Sequence, residues 1–275
     1  MDKNNKVSVL MSVYFKEKPE YVDACLESMH QQTYLPDEIV LIKDGPLTEE
    51  LDQVISNYET KYPHIYKVIP LEKNVGLGVA LALGVEACTH PLIARMDTDD
   101  IALPERLEKQ RNYFIEQPET AIVGSDIIEF EGSIDNQIAK RIVPHQHEEI
   151  YQFAKRRNPF NHMTVMYRKD AVLAAGNYQP LNGYEDYYLW VRMLADNAKA
   201  YNFNEILVYA RGGTDMYERR GGWKYFKDGL AAQKKIYKVG LSSPVDFVIR
   251  IGAQTIVNLV PNQVRSNIYS KVLRK

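Results

Sequence analysis

The sequence contains very little cysteine and no long hydrophobic run. Its 275 residues include only Cys25 and Cys88, both in apolar helix-like patterns without metal-ligand spacing. We therefore expect two reduced core thiols in a cytosolic protein and no disulfide or zinc framework. The N-terminal MDKNNKVSVLMSV lacks a secretory layout, and no window is long enough to cross a bilayer. The sequence thus predicts neither a signal peptide nor a transmembrane helix.

The chain also lacks a strong overall charge, since its formal net charge is -2. The charge is nevertheless unevenly distributed. Residues 219–275 hold twelve Lys and Arg but only Asp228 and Asp246, a net charge of +10 that leaves -12 for the remainder. Such a basic segment indicates an anionic partner. Because apolar amphipathic stretches accompany the charge, the segment favours an anionic membrane surface over nucleic acid, although a helical hairpin packed on the domain would give the same pattern.

A short apolar run, Leu92 to Met96, ends abruptly in the carboxylates Asp97, Asp99 and Asp100. Side chains two residues apart in a strand point the same way, so Asp97 and Asp99 would leave the sheet edge together. Unpaired acids raise each other's pKa, whereas Mg²⁺ or Mn²⁺ binds carboxylates and keeps positions open for substrate phosphates. An acidic turn before a helix has the same composition. The pattern alone leaves both interpretations open.

Strand-like runs alternate with helical patterns through the first hundred residues. Strands are predicted at 7–13, 38–42, 66–71 and 92–96, and helices at 19–32, 48–62 and 78–88. This alternation predicts an α/β fold with a mainly parallel sheet and helices on both faces, with ligands beyond the carboxyl ends of the strands. We expect a nucleotide-binding half at 1–103, a mixed half at 104–220 with antiparallel strands, and a basic amphipathic helical extension at 221–275.

Several polar residues stand where predicted strands end or helices begin. Asp44 ends a strand within Lys-Asp-Gly-Pro and is either a turn former or a ligand group. Asn74 and Gly76 precede an apolar helix, which suits a phosphate, although the full dinucleotide fingerprint is missing. His162 lies in a polar loop and would contact either a phosphate or metal, or form a structural hydrogen bond.

Two charged pairs further along the chain are also candidates. Glu185 and Asp186 begin a predicted helix, where the helix dipole favours carboxylates. The alternative is that Asp186 points into the cleft as a general base. Arg219 and Arg220 lie in a loop rich in glycine and charge. They would either clamp a diphosphate bidentately or form a solvated basic turn.

Five motifs, in order across about residues 5–225, resemble family 2 glycosyltransferases with the GT-A fold: VSVLMSVY, IVLIKDG, NVGLGVALALG, ARMDTDD and GYEDYYLW. The resemblance implies that Asp44 contacts the base, Asp97 the nucleotide sugar and Asp99 the metal, and that Asp186 is the catalytic base. Many members have Arg where this chain has Leu81. The Gln-x-x-Arg-Trp of processive synthases is absent, which argues against a polymerising enzyme.

The predicted site has three parts. Asp186 is the catalytic residue, and Mn²⁺ or Mg²⁺ is held by Asp99, Asp97 and His162. Nucleotide-sugar contacts are predicted from Val13, Tyr14, Asp44, Asn74, Gly76, Arg95, Asp97, Glu185, Arg219 and Arg220.

The resemblance implies inverting, metal-dependent transfer from a nucleotide sugar, with UDP favoured, to a hydroxyl of a growing glycan. It also implies a polyprenyl-diphosphate-linked acceptor and a role in capsule, O-antigen or exopolysaccharide assembly. We expect no nucleic-acid partner, and a cytoplasmic protein whose C-terminal helices contact the inner face of the membrane. A nucleotidyltransferase and a non-catalytic nucleotide-sugar or glycan-binding module are the alternatives. The first should have a Gly-rich basic loop after the first strand, where this chain has no glycine.

Overall fold

The computed structural model describes residues 5–212 and 223–259. Arg219 and Arg220 therefore lie outside the described residues, as do residues 260–275 of the basic segment. The predicted cysteine state is confirmed, because Cys25 and Cys88 are both buried and free.

The first half follows the predicted alternation closely. Its elements are β1 (Val7–Val13), α1 (Pro19–His30), β2 (Glu38–Lys43), α2 (Glu49–Lys61), β3 (Tyr66–Pro70), α3 (Leu77–Ala87) and β4 (Leu92–Arg95). The boundaries have local causes. Thr48 caps α2 by accepting the Leu51 N–H at 3.4 Å. The helix dipole also favours the acidic side chains in the first turn of α2.

The second half contains elements that the pattern did not reveal. It comprises β5 (Ile101–Ala102), α4 (Arg106–Glu116), β6 (Thr120–Glu131), β7 (Ser133–Arg141), α5 (His147–Ala154), a 3₁₀ turn (His162–Thr164), β8 (Met166–Arg168), α6 (Lys169–Ala174), α7 (Glu185–Ala195), β9 (Lys199–Arg211), α8 (Trp223–Lys238) and α9 (Pro244–Leu259). The sequence pattern predicts strands at 121–130, 137–143 and 163–167 and helices at 105–117, 148–157, 187–194, 223–237 and 244–260. It does not predict β5, α6 or β9.

The nine strands in the described part of the chain belong to one mixed sheet. The order is β3-β2-β1-β4-β8-β6-β9-β5, and β7 pairs with β6 off this path. The four strands of the first half are parallel, as predicted. β8 joins β4 and β6 antiparallel, and β6 and β7 are also antiparallel. The parallel β6–β9 pair completes the change from an alternating to a mixed pattern.

Two hydrophobic cores lie on opposite faces of the sheet. In β1, Leu10 packs into the core that contains residues of α3, α5 and α7, while Val9 and Met11 pack into the core with α1, α2 and α4. Successive strand residues point to opposite faces, so a strand covered on both faces is apolar throughout. Gly84 lets α3 approach closely, because a Cβ there would lie 2.2 Å from Leu10 Cδ1.

The sequence of α4 predicts an exposed helix with Leu107, Arg111, Phe114 and Ile115 on its inner side. The structure follows this prediction only in part. Leu107 and Phe114 are buried, but Ile115 is 44% exposed, and its predicted inward position is wrong. The polar Arg106 and Gln110 occupy the buried positions instead. Within the ranges described above, no helix has the length and apolar character needed to cross a bilayer.

Candidate active site

Three carboxylates gather in the turn that follows β4. One side-chain oxygen from each of Asp97, Asp99 and Asp100 lies within 4.8 Å of the others. Burial, and then the neighbouring Asp97, raise the pKa of Asp99 to about 6. Burial, followed by Asp99 and Asp97, raises the pKa of Asp100 well above its ordinary value. A divalent cation would remove this repulsion, and an all-carboxylate donor set fits Mn²⁺ or Mg²⁺.

Side chains from distant elements hold this acidic turn in place. Buried Arg95 forms a two-pronged ion pair with Asp97. The Arg211 backbone N–H donates to Asp100 at 2.6 Å, and its Nε donates to the Asp99 carbonyl at 3.0 Å. Because Arg95 and Arg211 already bind Asp97 and Asp100, Asp99 best fits the predicted role of principal metal ligand.

Two further supports were not found by sequence reasoning. Arg106 is fully buried, and its Nη2 donates to the Arg95 carbonyl at 2.7 Å. Cys25 donates its thiol hydrogen to the Asp97 carbonyl at 3.1 Å. Neither residue belongs to a recognisable motif. The one available signal was the position of Arg106 on the inner face of α4, one residue before Leu107.

A cavity of about 310 Å³ lies on one side of the acidic turn. It is lined by Ser12, Tyr14, Glu17, Asp44, Asn74, Gly76, Leu77, Asp97, Thr98 and Asp99. Five of the residues predicted to bind the nucleotide sugar, namely Tyr14, Asp44, Asn74, Gly76 and Asp97, thus line one space at the carboxyl ends of β1, β2 and β4. This is the position where α/β sheets bind ligands.

Asp44 organises the loop that forms one wall of this smaller cavity. Its carboxylate accepts the N–H groups of Val75 and Gly76 at 2.7 and 3.1 Å. The loop passes so close that a Cβ on Gly45, whose φ is +89°, would lie 2.6 Å from the Asn74 nitrogen. Asp44 is therefore both a turn former and a cavity residue, and the two interpretations of its sequence context are compatible.

Val13 does not line either cavity. Its side chain is fully buried in the core, and its carbonyl accepts the Asp44 N–H at 2.8 Å. The structure therefore places Val13 behind Asp44, where a strand residue buried on both faces belongs.

A larger cavity of about 720 Å³ also adjoins the acidic turn. Its lining combines Glu17, Leu77, Arg95, Asp97, Asp99, Arg141, Arg156, Arg157, Asn158, Phe160, His162, Met163, Gly183, Tyr184, Glu185, Asp186, Tyr187 and Gln233. Asp97 and Asp99 line both cavities. The acids near position 97 and the acid at 186 therefore face a single space, although almost ninety residues separate them in the sequence.

The two acids at the start of α7 border this larger cavity. Asp186 Oδ2 accepts the Asn158 side-chain N–H at 2.6 Å, and its Oδ1 accepts the Tyr187 N–H at 2.7 Å. Burial raises the pKa of Asp186. Burial, and then Asp186, raise the pKa of Glu185 to about 7. A carboxylate with a raised pKa in a cavity suits proton abstraction near neutral pH.

His162 also lines the larger cavity, at the start of the 3₁₀ turn. Its Nε2 lies 3.0 Å from the Tyr178 hydroxyl. Burial, followed by the charge of Arg95, lowers the pKa of His162 well below its ordinary value, so the ring is neutral. The bond to Tyr178 is the structural hydrogen bond that the sequence offered as one of the two alternatives for His162. Among the residues that the structure describes, the group of potential metal ligands consists of Asp97, Asp99 and Asp100 and does not include His162.

Solved structures with this sheet share the architecture of GT-A glycosyltransferases. S. aureus TarS 1-349 in complex with UDP-GlcNAc matches with a TM-score of 0.67 and 18% identity, over 97% of this chain and 76% of that chain. The mannosyltransferase PcManGT from Pyrobaculum calidifontis, in complex with GDP-Man and Mn²⁺, has a TM-score of 0.64 and 14% identity, over 94% of this chain and 71% of that one. The chain thus has the GT-A fold.

The sequence comparisons then identify the family. Residues 8–174 match the family described as Glycosyl transferase family 2. The amylovoran biosynthesis glycosyltransferase AmsE of Erwinia amylovora is 42% identical over 96% of this chain and 98% of its own length. The UDP-Gal:alpha-D-GlcNAc-diphosphoundecaprenol beta-1,3-galactosyltransferase of Escherichia coli is 36% identical over 100% of this chain and 98% of its own length. The chain belongs to glycosyltransferase family 2, and the nucleotidyltransferase and binding-module alternatives are set aside.

Proposed function

We propose that this enzyme transfers a sugar from a UDP-linked donor to a hydroxyl of a lipid-diphosphate-linked acceptor in cell-surface polysaccharide biosynthesis. The transfer is metal-dependent and inverts the anomeric configuration. The observation that carries the proposal is the larger cavity, which is lined by both Asp99 and Asp186. The UDP donor and the lipid-linked acceptor are supported by the Escherichia coli relative, whose name contains both.

The chemistry follows from the positions of these side chains. Asp186 takes the proton of the acceptor hydroxyl while that oxygen forms its bond to the anomeric carbon. The bond from that carbon to the diphosphate breaks on the opposite face, and its electron pair leaves with UDP. Asn158, which donates to Asp186 at 2.6 Å, holds the carboxylate in position. A general base of this kind contributes about 10²- to 10⁴-fold to the rate.

The acidic turn, which lines the same cavity, serves the leaving group. Asp99, with Asp97 and Asp100 beside it, would hold Mn²⁺ or Mg²⁺. The ion, when bound, stabilises the negative charge that develops on the departing diphosphate. The smaller cavity, with the loop that Asp44 holds, accommodates the nucleoside. Tyr14 supplies an aromatic surface there.

Peripheral membrane contact on the inner face of the cell membrane is part of the same proposal. The first turns of α9 expose Val245, Val248 and Ile249 by 63%, 67% and 45%. Apolar side chains beside a segment with net charge +10 suit an anionic bilayer. This contact would bring the enzyme to a lipid-linked acceptor.

The experiment begins with a panel of nucleotide sugars, each tested for thermal stabilisation with and without Mn²⁺. A donor that binds the folded state raises the melting temperature. We expect a UDP-sugar to stabilise the protein only with the metal, and to be consumed when a GlcNAc-diphosphate-alkyl acceptor is added. An α-linked donor should yield a β-linked product, which NMR of the anomeric proton detects. Retention of the α configuration, or stabilisation by no nucleotide sugar, would refute the proposal.

A further inference from the structure

Three arginines form a cationic wall in the larger cavity, and neither the motifs nor the mechanism above uses them. Arg141 ends β7, and Arg156 and Arg157 follow α5. We call these residues the arginine wall. Arg156 and Arg157 are immediately followed by Asn158, whose side chain binds Asp186 at 2.6 Å. The same short segment thus carries two guanidinium groups and the partner of the predicted base.

Helix capping does not account for the position of these arginines. Basic side chains are common at helix C-termini, where they complement the last carbonyls. Here, however, the backbone N–H groups of Arg156 and Arg157 already bind the Phe153 carbonyl at 3.0 and 2.9 Å. Since the main chain closes α5 by itself, the guanidinium groups are not required to end the helix.

The C-terminal helices fix part of the wall. Arg156 Nε donates to Asp246 Oδ1 at 2.6 Å, in the first turn of α9. Asp246 is itself held by Ser243, whose N–H and hydroxyl donate to Oδ2 at 3.1 and 2.7 Å. Arg156 is therefore held at the cavity by α9 and has further N–H donors besides Nε. A guanidinium held in this way loses little entropy when it binds a phosphate.

The arginine wall lines the larger cavity and not the smaller one, which is the space proposed for the nucleoside. Of the described residues, no arginine or lysine lines the smaller cavity, so that space offers no comparable anion site. Arg95, the other arginine of the larger cavity, is already paired with Asp97. The wall lines the same cavity as Asp186, and Arg156 and Arg157 directly precede Asn158, whose side chain donates to Asp186 at 2.6 Å. An anion at the wall would thus belong to the acceptor side of the reaction.

We propose that Arg156 and Arg157, together with Arg141, bind the diphosphate of the acceptor and so place its sugar hydroxyl at Asp186. This inference rests on the proposed function, because it requires an acceptor that is linked through a diphosphate. Arginine forks match phosphate oxygens bidentately, and two or three of them suit a diphosphate. The exposed Val245, Val248 and Ile249 lie in the same first turns of α9 that hold Arg156, so a lipid chain can continue from the diphosphate along that surface.

The test compares two acceptors that differ only in the diphosphate: GlcNAc-diphosphate-alkyl and the neutral GlcNAc alkyl glycoside with the same chain. The variants are Arg156→Gln, Arg157→Gln and the double substitution. Lys155→Gln is the matched control, because Lys155 lies in the same turn and does not line the larger cavity. Its Nζ donates to Gln152 Oε1 at 2.8 Å. We expect the double variant to raise KM for the diphosphate acceptor by at least about tenfold, since each lost charge-assisted hydrogen bond weakens binding severalfold or more. KM for the neutral glycoside should change much less.

A binding measurement keeps the inference falsifiable even if the transfer reaction fails. An alkyl diphosphate is titrated into wild type and the double variant with a metal chelator present, so that the predicted metal site does not contribute. Weaker binding by the variant supports the inference, whereas equal binding overturns it. An equal rise of KM for both acceptors also overturns it, because that indicates a general structural effect. If the variants lose affinity for phosphatidylglycerol vesicles and keep it for the alkyl diphosphate, the wall binds membrane headgroups and the inference is wrong. Absence of transfer by wild type to either acceptor would refute the proposed function instead.

Discussion

The substitution Asp186→Asn tests the proposed chemistry most directly. It removes the proton-accepting oxygen and changes the size of the side chain very little. Oδ1 of the new amide can still accept the Tyr187 N–H, now at 2.7 Å. The contact with Asn158 is lost, because two amide NH₂ groups would face each other unless Asn158 turns. Turning would cost Asn158 the bond that its Oδ1 accepts from the Phe160 N–H at 3.2 Å.

The substitution should reduce activity strongly and change stability very little. Without a base, kcat should fall by about 10²- to 10⁴-fold. The lost hydrogen bond costs about 1 kcal/mol of unfolding free energy. Burial raises the pKa of Asp186, which means that its negative charge is itself unfavourable in the fold, and removing that charge offsets the loss. The variant should therefore be nearly inactive and about as stable as wild type.

The pH dependence gives a second readout of the same site. Asp186 accepts a proton only when ionised, so kcat/KM should rise with pH through its raised pKa. Asp186→Asn should abolish this rise of kcat/KM with pH.

Glu185, whose pKa is raised from 4.5 to about 7, binds its proton more tightly in the folded than in the unfolded protein. Its contribution to stability is thus present at acidic pH and declines between about pH 4.5 and 7, by up to about 3 kcal/mol. Glu185→Gln should flatten this decline in urea titrations.

The assay follows donor consumption and product formation with a UDP-sugar, Mn²⁺ and the lipid-linked acceptor, and measures donor binding separately by thermal shift. Asp196→Asn serves as the control, because Asp196 is the C-cap of the same helix and lines neither cavity. Turnover by Asp186→Asn within about tenfold of wild type would refute the assignment of the base. Loss of donor binding together with loss of turnover would show that the residue acts on the donor instead.

Three further predictions concern the metal, the core and the membrane. Asp99→Asn should remove the Mn²⁺-dependent part of the thermal stabilisation by a UDP-sugar, and an unchanged metal response would contradict its role as ligand. Gly84→Ala should lower the unfolding free energy by about 1–3 kcal/mol, because the new Cβ would meet Leu10. Gly252→Ala, whose Cβ would meet nothing within 4 Å, should raise the unfolding free energy by up to about 1 kcal/mol. Urea titrations that fail to separate the two variants would disprove the packing argument. Val248→Asp, or truncation at about residue 240, should reduce co-sedimentation with vesicles of anionic lipid, and equal sedimentation would exclude membrane contact through α9.

Elements with a strong local pattern were predictable from sequence. All seven residues of β1 are in the predicted strand because both faces of that strand are covered and every position is apolar or small. β9 was missed although it has 13 residues, because several of its positions are polar or exposed and its pairing with β6 shifts register three times. That strand is stabilised by its partner, which a local pattern does not reveal. Ile115 was misplaced for a related reason: the face that α4 buries depends on Arg106 reaching the Arg95 carbonyl.

In the candidate site, too, residues with a local sequence signal were predictable and contacts between distant segments were not. The acids at 97, 99 and 186 were found because each follows a strand or opens a helix, where local composition carries the signal. The ion pair between Arg95 and Asp97 and the clamp formed by Arg211 were not found, since they depend on the end of β4 and on a strand more than a hundred residues later in the chain. The arginine wall was also missed, because basic residues after a helix look like ordinary capping residues.

The amino-acid order alone determined which residues are apolar, acidic or basic, and with them the strand and helix pattern of the first half and the motifs of a sugar transferase. Only the tertiary structure decided that the acidic turn, the start of α7 and the segment after α5 border one cavity. The physical reason is that neighbours in sequence interact through fixed backbone periodicities, whereas the meeting of distant segments depends on how whole strands and helices pack. The enzyme's proposed base, metal ligands and acceptor-binding arginines come from four segments: these three and the end of β7.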